Sequence, residues 1–205
     1  MTRRSKPPRV VLFDLGGVLV EFDGTRPLVE MTAGRLDLED ARKFWIQSPA
    51  VRRFETGRFS PSEFAEEAVK ELGLSMDAQV FLEAFISWEK ELLPGALDLL
   101  GEIRPRFVTA CLSNNNPLHW DLLRDRFGMD QKFDRCFLSH EIGLIKPDPE
   151  FFRYVLSTLG VEAEEALFLD DNPEHVQAAA GLGIEAIRVE GVSGAREALK
   201  ATKVL

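Results

Sequence analysis

The chain has 205 residues, 45% of them hydrophobic and 29% charged, with a formal net charge of −9. That is enough apolar material for a sizeable core, and the acidic balance argues against nucleic acid as the main partner, because phosphate backbones attract basic surfaces. No apolar run is long enough to span a bilayer, and the basic start (Arg3, Arg4, Lys6, Arg9) is broken by Pro7 and Pro8 and followed by no apolar leader core, so it reads as a tail and not as a signal peptide.

The first predicted element is the strand Val10–Phe13, an unbroken apolar run of the kind buried on both faces of a parallel sheet. It runs straight into Asp14 and then Gly16-Gly17, where the backbone can turn sharply and approach a ligand closely. Ligands of open α/β sheets bind outside the carboxyl ends of the strands, so Asp14 stands where chemistry would stand. Taken alone, it can equally be a strand-end carboxylate serving nearby N–H groups.

Leu19 to Gly24 reads as a short extended or turn segment. From Thr25 to about Lys90 the pattern is helical. Helices are expected over Leu38–Ile46, over Pro49–Glu55, and from a capping box at Ser60-Pro61-Ser62-Glu63 to Gly73. A further helix is expected from Met76 to Glu91, with Val80, Phe81, Ala84, Phe85 and Trp88 as a packed apolar stripe. After Leu93-Pro94-Gly95 helices and strands alternate. Helices are expected at Ala96–Ile103, Pro117–Phe127, Pro149–Leu159, Pro173–Ala180 and Ser193–Lys200. Strands are expected at Phe107–Leu112, Arg135–Leu138, Ala166–Leu169 and Ile184–Val189.

This alternation predicts an α/β fold, a doubly wound parallel sheet with helices on both faces and a helical insert after the first strand. The core is expected to comprise residues 9–23 and 94–205, with residues 24–93 as a helical cap placed over the strand ends. Cys111 and Cys136 fall in apolar strands, which suits reduced thiols in a cytoplasmic protein better than a disulfide.

Polar residues gather at the same predicted rim. Asp14 follows the first strand, Ser113 the second, Asp170 and Asp171 the fourth, and Lys146 precedes a helix. Each alone suits a cap or a loop. Together, three carboxylates call for a hard cation such as Mg2+ held by oxygen ligands. A hydroxyl and an ammonium opposite can hold phosphate oxygens, and one carboxylate is left to attack phosphorus. Asn114 extends this rim, or forms a plain turn. In Phe54-Glu55-Thr56-Gly57-Arg58-Phe59, Arg58 can meet a substrate anion or merely lie on the link to the next helix. His119, His140 and His175 lack metal-ligand spacing.

In FDLGGVL around Asp14, CLSN around Ser113, GLIKPDP around Lys146 and FLDDNPEHV around Asp170 and Asp171, the chain resembles the haloacid dehalogenase-like superfamily, in the subgroup with a helical cap after the first strand. DLGGVLV and FETGRFSPSEFA are similar to its glucose-1-phosphatase-like branch. The resemblance implies an Mg-dependent phosphatase acting on a small phosphorylated metabolite, a sugar phosphate being one candidate. It implies Asp14 as nucleophile, Ser113 and Lys146 as phosphate-binding groups with Lys146 also orienting Asp14, and Mg2+ held by Asp14, the Gly16 carbonyl and Asp171, with Asp170 close by. A monomer or homodimer is expected. The alternatives are a metal-free dehalogenase and a non-catalytic phosphate-binding scaffold. One departure stands out. Most phosphatases of this superfamily carry a second Asp two residues after the nucleophile as acid and base, and this chain has Gly16. Glu21, Asp23 and Glu55 are the candidates to replace it.

Overall fold

The structure, a computed structural model, describes residues 8–205, apart from the side chains of Glu89 and Lys90. Arg3, Arg4 and Lys6 of the basic tail lie outside the described residues. The chain runs from β1 (Val10–Phe13) through a short β2 (Val20–Phe22) into the helices α1 (Thr25–Met31), α2 (Leu38–Gln47), α3 (Pro49–Glu55), α4 (Pro61–Glu71) and α5 (Ala78–Ile86). It returns through β3 (Glu89–Leu92). Then follow α6 (Ala96–Ile103), β4 (Val108–Ser113), α7 (Pro117–Phe127), β5 (Arg135–Leu138), α8 (Ser139–Ile142) and α9 (Pro149–Leu159). The chain closes with β6 (Ala166–Asp170), α10 (Pro173–Gly181), β7 (Glu185–Arg188) and α11 (Gly191–Ala201).

The large sheet is parallel in the order β5-β4-β1-β6-β7, with Val10 opposite Val108 on one side and Ala166 on the other. Side chains of successive strand residues point to opposite faces, and the core divides accordingly. Val11, Phe13, Cys111, Leu167 and Leu169 pack with α6, α7 and α11, whereas Val10, Leu12, Ala110, Leu112 and Phe168 pack with α9 and α10. Burial of each large apolar side chain contributes about 1.5–3 kcal/mol, so both faces are strongly favoured. Cys111 and Cys136 are neighbours in register on β4 and β5, both free, with Cys136 only half-buried. No helix among the described residues is long and apolar enough to cross a membrane.

The helical insert has a core of its own. Leu28, Phe44, Phe54, Phe64, Phe81, Phe85 and Trp88 form one apolar cluster between residues 28 and 88. The capping box expected at Ser60 is present, with the Glu63 carboxylate accepting from the Ser60 N–H at 2.8 Å. One helix expectation is corrected. The periodic stripe through Trp88 predicts a helix to Glu91, yet α5 stops at Ile86. Ser87 and Trp88 make tight bonds to the Ala84 and Phe85 carbonyls, and the chain then pairs antiparallel with β2, Val20 opposite Leu92. Trp88 stays buried, so the stripe is real, but its last residue reaches the core from a turn. The ladder with β2 satisfies the backbone there and outweighs the local helical pattern.

Gly57, just past α3, seats the insert against the core. Its φ is +68°, and a Cβ there would lie 2.3 Å from the carbonyl oxygen of His140 in α8. Gly57→Ala is therefore expected to destabilise the protein by about 2–3 kcal/mol, combining left-handed strain with a backbone clash. Urea unfolding of both proteins measures it, and a loss below the usual surface value of about 0.5 kcal/mol would show that the contact is dispensable.

Candidate active site

β1 lies between β4 and β6, so three neighbouring strands deliver their carboxyl ends to one place. Asp14 follows β1, and its N–H donates to the Leu169 carbonyl at 2.8 Å. Ser113 closes β4 and Asp170 closes β6, with Asp171 next in the chain. The strand-end residues singled out in the sequence are thus brought together.

Lys146 reaches them from the loop before α9 and is only 2% exposed. Its Nζ donates to Asp14 Oδ1 at 2.8 Å, to Asp170 Oδ2 at 2.7 Å and to the Leu112 carbonyl at 2.7 Å. An ammonium has three N–H groups, so all of them are committed to protein acceptors. The expected orienting contact with Asp14 is present. The three bonds to protein acceptors describe Lys146 without a phosphate beside it. Asn114, expected to bind substrate, lines the cleft and uses one of its two amide N–H groups on the protein. Its side-chain oxygen accepts from the Lys146 N–H at 2.9 Å and its amide donates to the Lys146 carbonyl at 2.8 Å, which clamps the lysine backbone. Ser113 differs: it is buried beside the cleft, and no described residue hydrogen-bonds its hydroxyl.

The carboxylates are not equivalent. Asp170 is fully buried and accepts from Lys146, from the Asn172 N–H at 2.8 Å, and faces His175 Nδ1 at 3.1 Å. Burial alone would raise its pKa, but Lys146 and His175 hold it down to about 2. Asp14 is pushed up to about 7 by burial and by the charge of Asp170, against the pull of Lys146. Burial and Asp170 also raise Asp171. No other described residue hydrogen-bonds the Asp171 side chain, and Asp14 Oδ2 receives no hydrogen bond.

Ligand atoms of Asp14, Asp170 and Asp171 lie within 4.8 Å of one another. Gly17 makes room for this: its φ is +70°, and a Cβ there would lie 2.4 Å from Asp171 Oδ2. Hard oxygen donors with unspent lone pairs, crowded until their pKa values rise, fit a cation such as Mg2+. Because Asp170 is saturated by Lys146, His175 and Asn172, the free donors are those of Asp14 and Asp171, with the backbone of Gly16 alongside on the cleft wall.

Above this floor lies a cleft of about 300 Å3. Its far wall comes from β2 and the insert: Phe22, Trp45, Phe54 and Phe85, with His119 of α7. Glu55, the last residue of α3, also lines it. Glu55 has no hydrogen-bond or ion-pair partner among the described residues, and burial raises its pKa to about 7, opposed by Lys146 and reinforced by Asp14. Of the residues offered in place of the missing Asp, it alone lines the cleft. Glu21 is exposed, and Asp23 caps α1 by accepting from Thr25 and Arg26. Arg58 is not brought to the cleft. The backbone turns at Gly57 and leaves it exposed.

Two further residues escaped the sequence reading. His119 donates through Nε2 to the Phe85 carbonyl at 2.9 Å, its Nδ1 faces the Asn116 amide at 3.2 Å, and burial lowers its pKa to about 4, so the ring is neutral. His175 grips Asp170 from the first turn of α10. The DDNPEH string carried a signal for it, because a helix starting just past the strand can aim its first turn back at the strand end.

Comparison with known proteins gives a consistent picture. A model of the haloacid dehalogenase-like hydrolase family matches residues 8–183. D-ribitol-5-phosphate phosphatase of Bacteroides thetaiotaomicron is 24% identical, over 92% of this chain and 95% of the relative. Phosphoglycolate phosphatase 1 of Pseudomonas aeruginosa is 31% identical, over 86% of this chain and 67% of the relative. A solved HAD family enzyme from Bacteroides thetaiotaomicron, in complex with magnesium and inorganic phosphate, superposes with a TM-score of 0.74 at 28% identity, covering 89% of this chain and 94% of the other.

Removing the cation from the buried cluster should be severe. Lys146→Met leaves Asp14 and Asp170 facing each other without a counter-charge, an expected loss of about 3–5 kcal/mol. Without the ammonium both carboxyls rise in pKa, so they favour the folded state when protonated. The loss should therefore be largest near pH 8 and shrink towards pH 5, as urea unfolding at the two pH values will measure.

Proposed function

The chain belongs to the haloacid dehalogenase-like hydrolase family, and from that premise we propose that it is a phosphatase that moves the phosphoryl group of a small phosphate monoester first to Asp14 and then to water. The observation that carries the reading is the pairing of Asp14, one oxygen held by buried Lys146 and the other free, with Asp171, whose carboxylate no other described residue hydrogen-bonds. Asp14 Oδ2 attacks phosphorus and the bond to the ester oxygen breaks. Glu55, protonated near neutral pH, gives its proton to the departing oxygen. As a carboxylate it then takes a proton from the water that attacks the aspartyl-phosphate, which frees Asp14 and inorganic phosphate. The Ser113 hydroxyl is placed to donate to a phosphoryl oxygen, and Lys146 keeps Asp14 aimed.

Asp14, Asp171 and the Gly16 carbonyl would hold Mg2+, and Asp170 would anchor Lys146 instead of binding metal. Bound there, Mg2+ supplies positive charge for the phosphoryl oxygens. The magnesium and phosphate bound by the structural relative support this assignment. Residues 24–93 serve as the cap that closes the cleft, and residues 9–23 with 94–205 as the catalytic core. The two named phosphatases support a small phosphate monoester as the substrate class. A metal-free dehalogenase would have no use for such an Asp171, and a passive phosphate-binding scaffold would have none for Glu55.

The direct test is phosphate release from p-nitrophenyl phosphate. It should require Mg2+, stop reversibly with a chelator, and fall at least about a thousandfold in Asp14→Asn. Turnover by Asp14→Asn at the wild-type rate would remove the covalent step.

Glu55→Gln separates the acid–base role. An alkoxide needs a proton to leave and a nitrophenolate does not, so kcat should fall about 10²–10³-fold on alkyl phosphates and less on the aryl ester. Glu55 must be protonated in the first step, so wild-type activity on alkyl phosphates should decline as pH rises through about 7, and the variant should lack that decline. Gly16→Asp in the Glu55→Gln background should restore part of the rate. Gly16 has no positive φ, and a Cβ there would lie 4.0 Å from Phe22 Cβ. An unchanged alkyl-to-aryl ratio in Glu55→Gln would exclude Glu55.

A further inference from the structure

The wall opposite the carboxylates has little to offer a polar substrate. Phe22 is 41% exposed, unusual for a large apolar side chain, and it stands edge-on to Trp45 at 6.2 Å and to His119 at 5.8 Å. Trp45 spends its only donor on the Gly24 carbonyl at 2.9 Å, so what it presents is ring. His119 has both ring nitrogens engaged, is neutral, and stacks on Phe85 with centroids 4.3 Å apart. Beside the neutral His119, Glu55 is the carboxyl group on this wall.

Charge is equally informative. Among the described residues lining the cleft, Lys146 is the only Lys or Arg, and its three donors are committed. A carboxylate or second phosphate on the substrate would find no cation and would face Asp14, Asp171 and Glu55. A polyol chain would set several hydroxyls against rings, each unpaired one costing about 1–3 kcal/mol. An apolar or flat group would instead bury its surface there at about 25 cal/mol per Å2.

We propose that the alcohol half of the substrate is uncharged and largely apolar, a benzylic or short unsaturated hydrocarbon alcohol, seated between Phe22, Trp45 and His119 with its ester oxygen towards Glu55. This rests on the phosphatase reading and turns away from the sugar phosphate suggested by resemblance.

The test compares four monophosphates whose leaving groups are all alkyl alcohols: benzyl phosphate, dimethylallyl monophosphate, glucitol 6-phosphate and 3-phosphoglycerate. Phosphate release is followed with Mg2+ present. The first two should exceed the others at least about tenfold in kcat/KM. Phe22→Ala, changed at the partly exposed mouth, should raise KM for benzyl phosphate about tenfold, the equivalent of about 1.4 kcal/mol, and alter KM for glucitol 6-phosphate far less. A higher kcat/KM for glucitol 6-phosphate or 3-phosphoglycerate, or a Phe22→Ala effect equal on all four, would overturn the apolar assignment while leaving the phosphatase standing. Release from none of the four, nor from p-nitrophenyl phosphate, would overturn both.

Discussion

A buried ammonium must find an acceptor for each of its N–H groups, and Lys146 finds them at the ends of three adjacent strands. Asp14 follows β1, Leu112 lies in β4, and Asp170 ends β6. The desolvation cost of the charge is offset only if all the acceptors are in place, so this contact fixes the relative heights of the three strand ends. Asn114 grips the lysine backbone at both its N–H and its carbonyl, and His175 and Asn172 steady Asp170 from the far side. What remains unsatisfied is informative. One oxygen of Asp14 receives no hydrogen bond, and no other described residue hydrogen-bonds the Asp171 carboxylate, in a cleft-lining site whose carboxylates outnumber its cation.

The insert has an aromatic cluster of its own, and it meets the sheet domain at several defined contacts. His119 of α7 joins Phe85 of α5 by a hydrogen bond and a ring contact. Gly57 touches the His140 backbone. Arg52 meets Asp148 at 2.5 Å, but both are exposed, and such pairs contribute little. The close apolar and backbone contacts therefore set the position of α3, and with it the position of Glu55 at its last turn.

Much of the core was legible in the sequence. Val10–Phe13 and Ala166–Leu169 are apolar runs followed by an aspartate, and Ser60 announces its helix by capping chemistry that is local. β3 was not legible, because its pairing with β2 is a long-range contact and the aromatic period runs unbroken to Trp88. The site divides in the same way. That Asp14, Ser113, Lys146, Asp170 and Asp171 converge follows from strand order. That Lys146 spends all three donors on protein acceptors, and that Asn114 clamps the lysine backbone, depends on distances no spacing encodes. The glycine pair was ambiguous for the same reason: the positive φ belongs to Gly17, where it clears Asp171, and not to Gly16.

This last point explains how the site can do without an acid on the nucleophile loop. A Cβ at residue 16 would meet nothing nearer than 4.0 Å, and its φ is not positive, so the backbone does not require glycine there. On the reading proposed above, the protonatable carboxyl has instead moved to the insert. A donor on the nucleophile loop is present whether the cleft is open or shut. Glu55 lines the cleft from the last residue of α3, and burial there raises its pKa. The same packing that holds α3 in place therefore supplies both the carboxyl and its dry surroundings. An apolar alcohol, which covers that wall and leaves no hydroxyl to be solvated, would keep the surroundings of Glu55 dry.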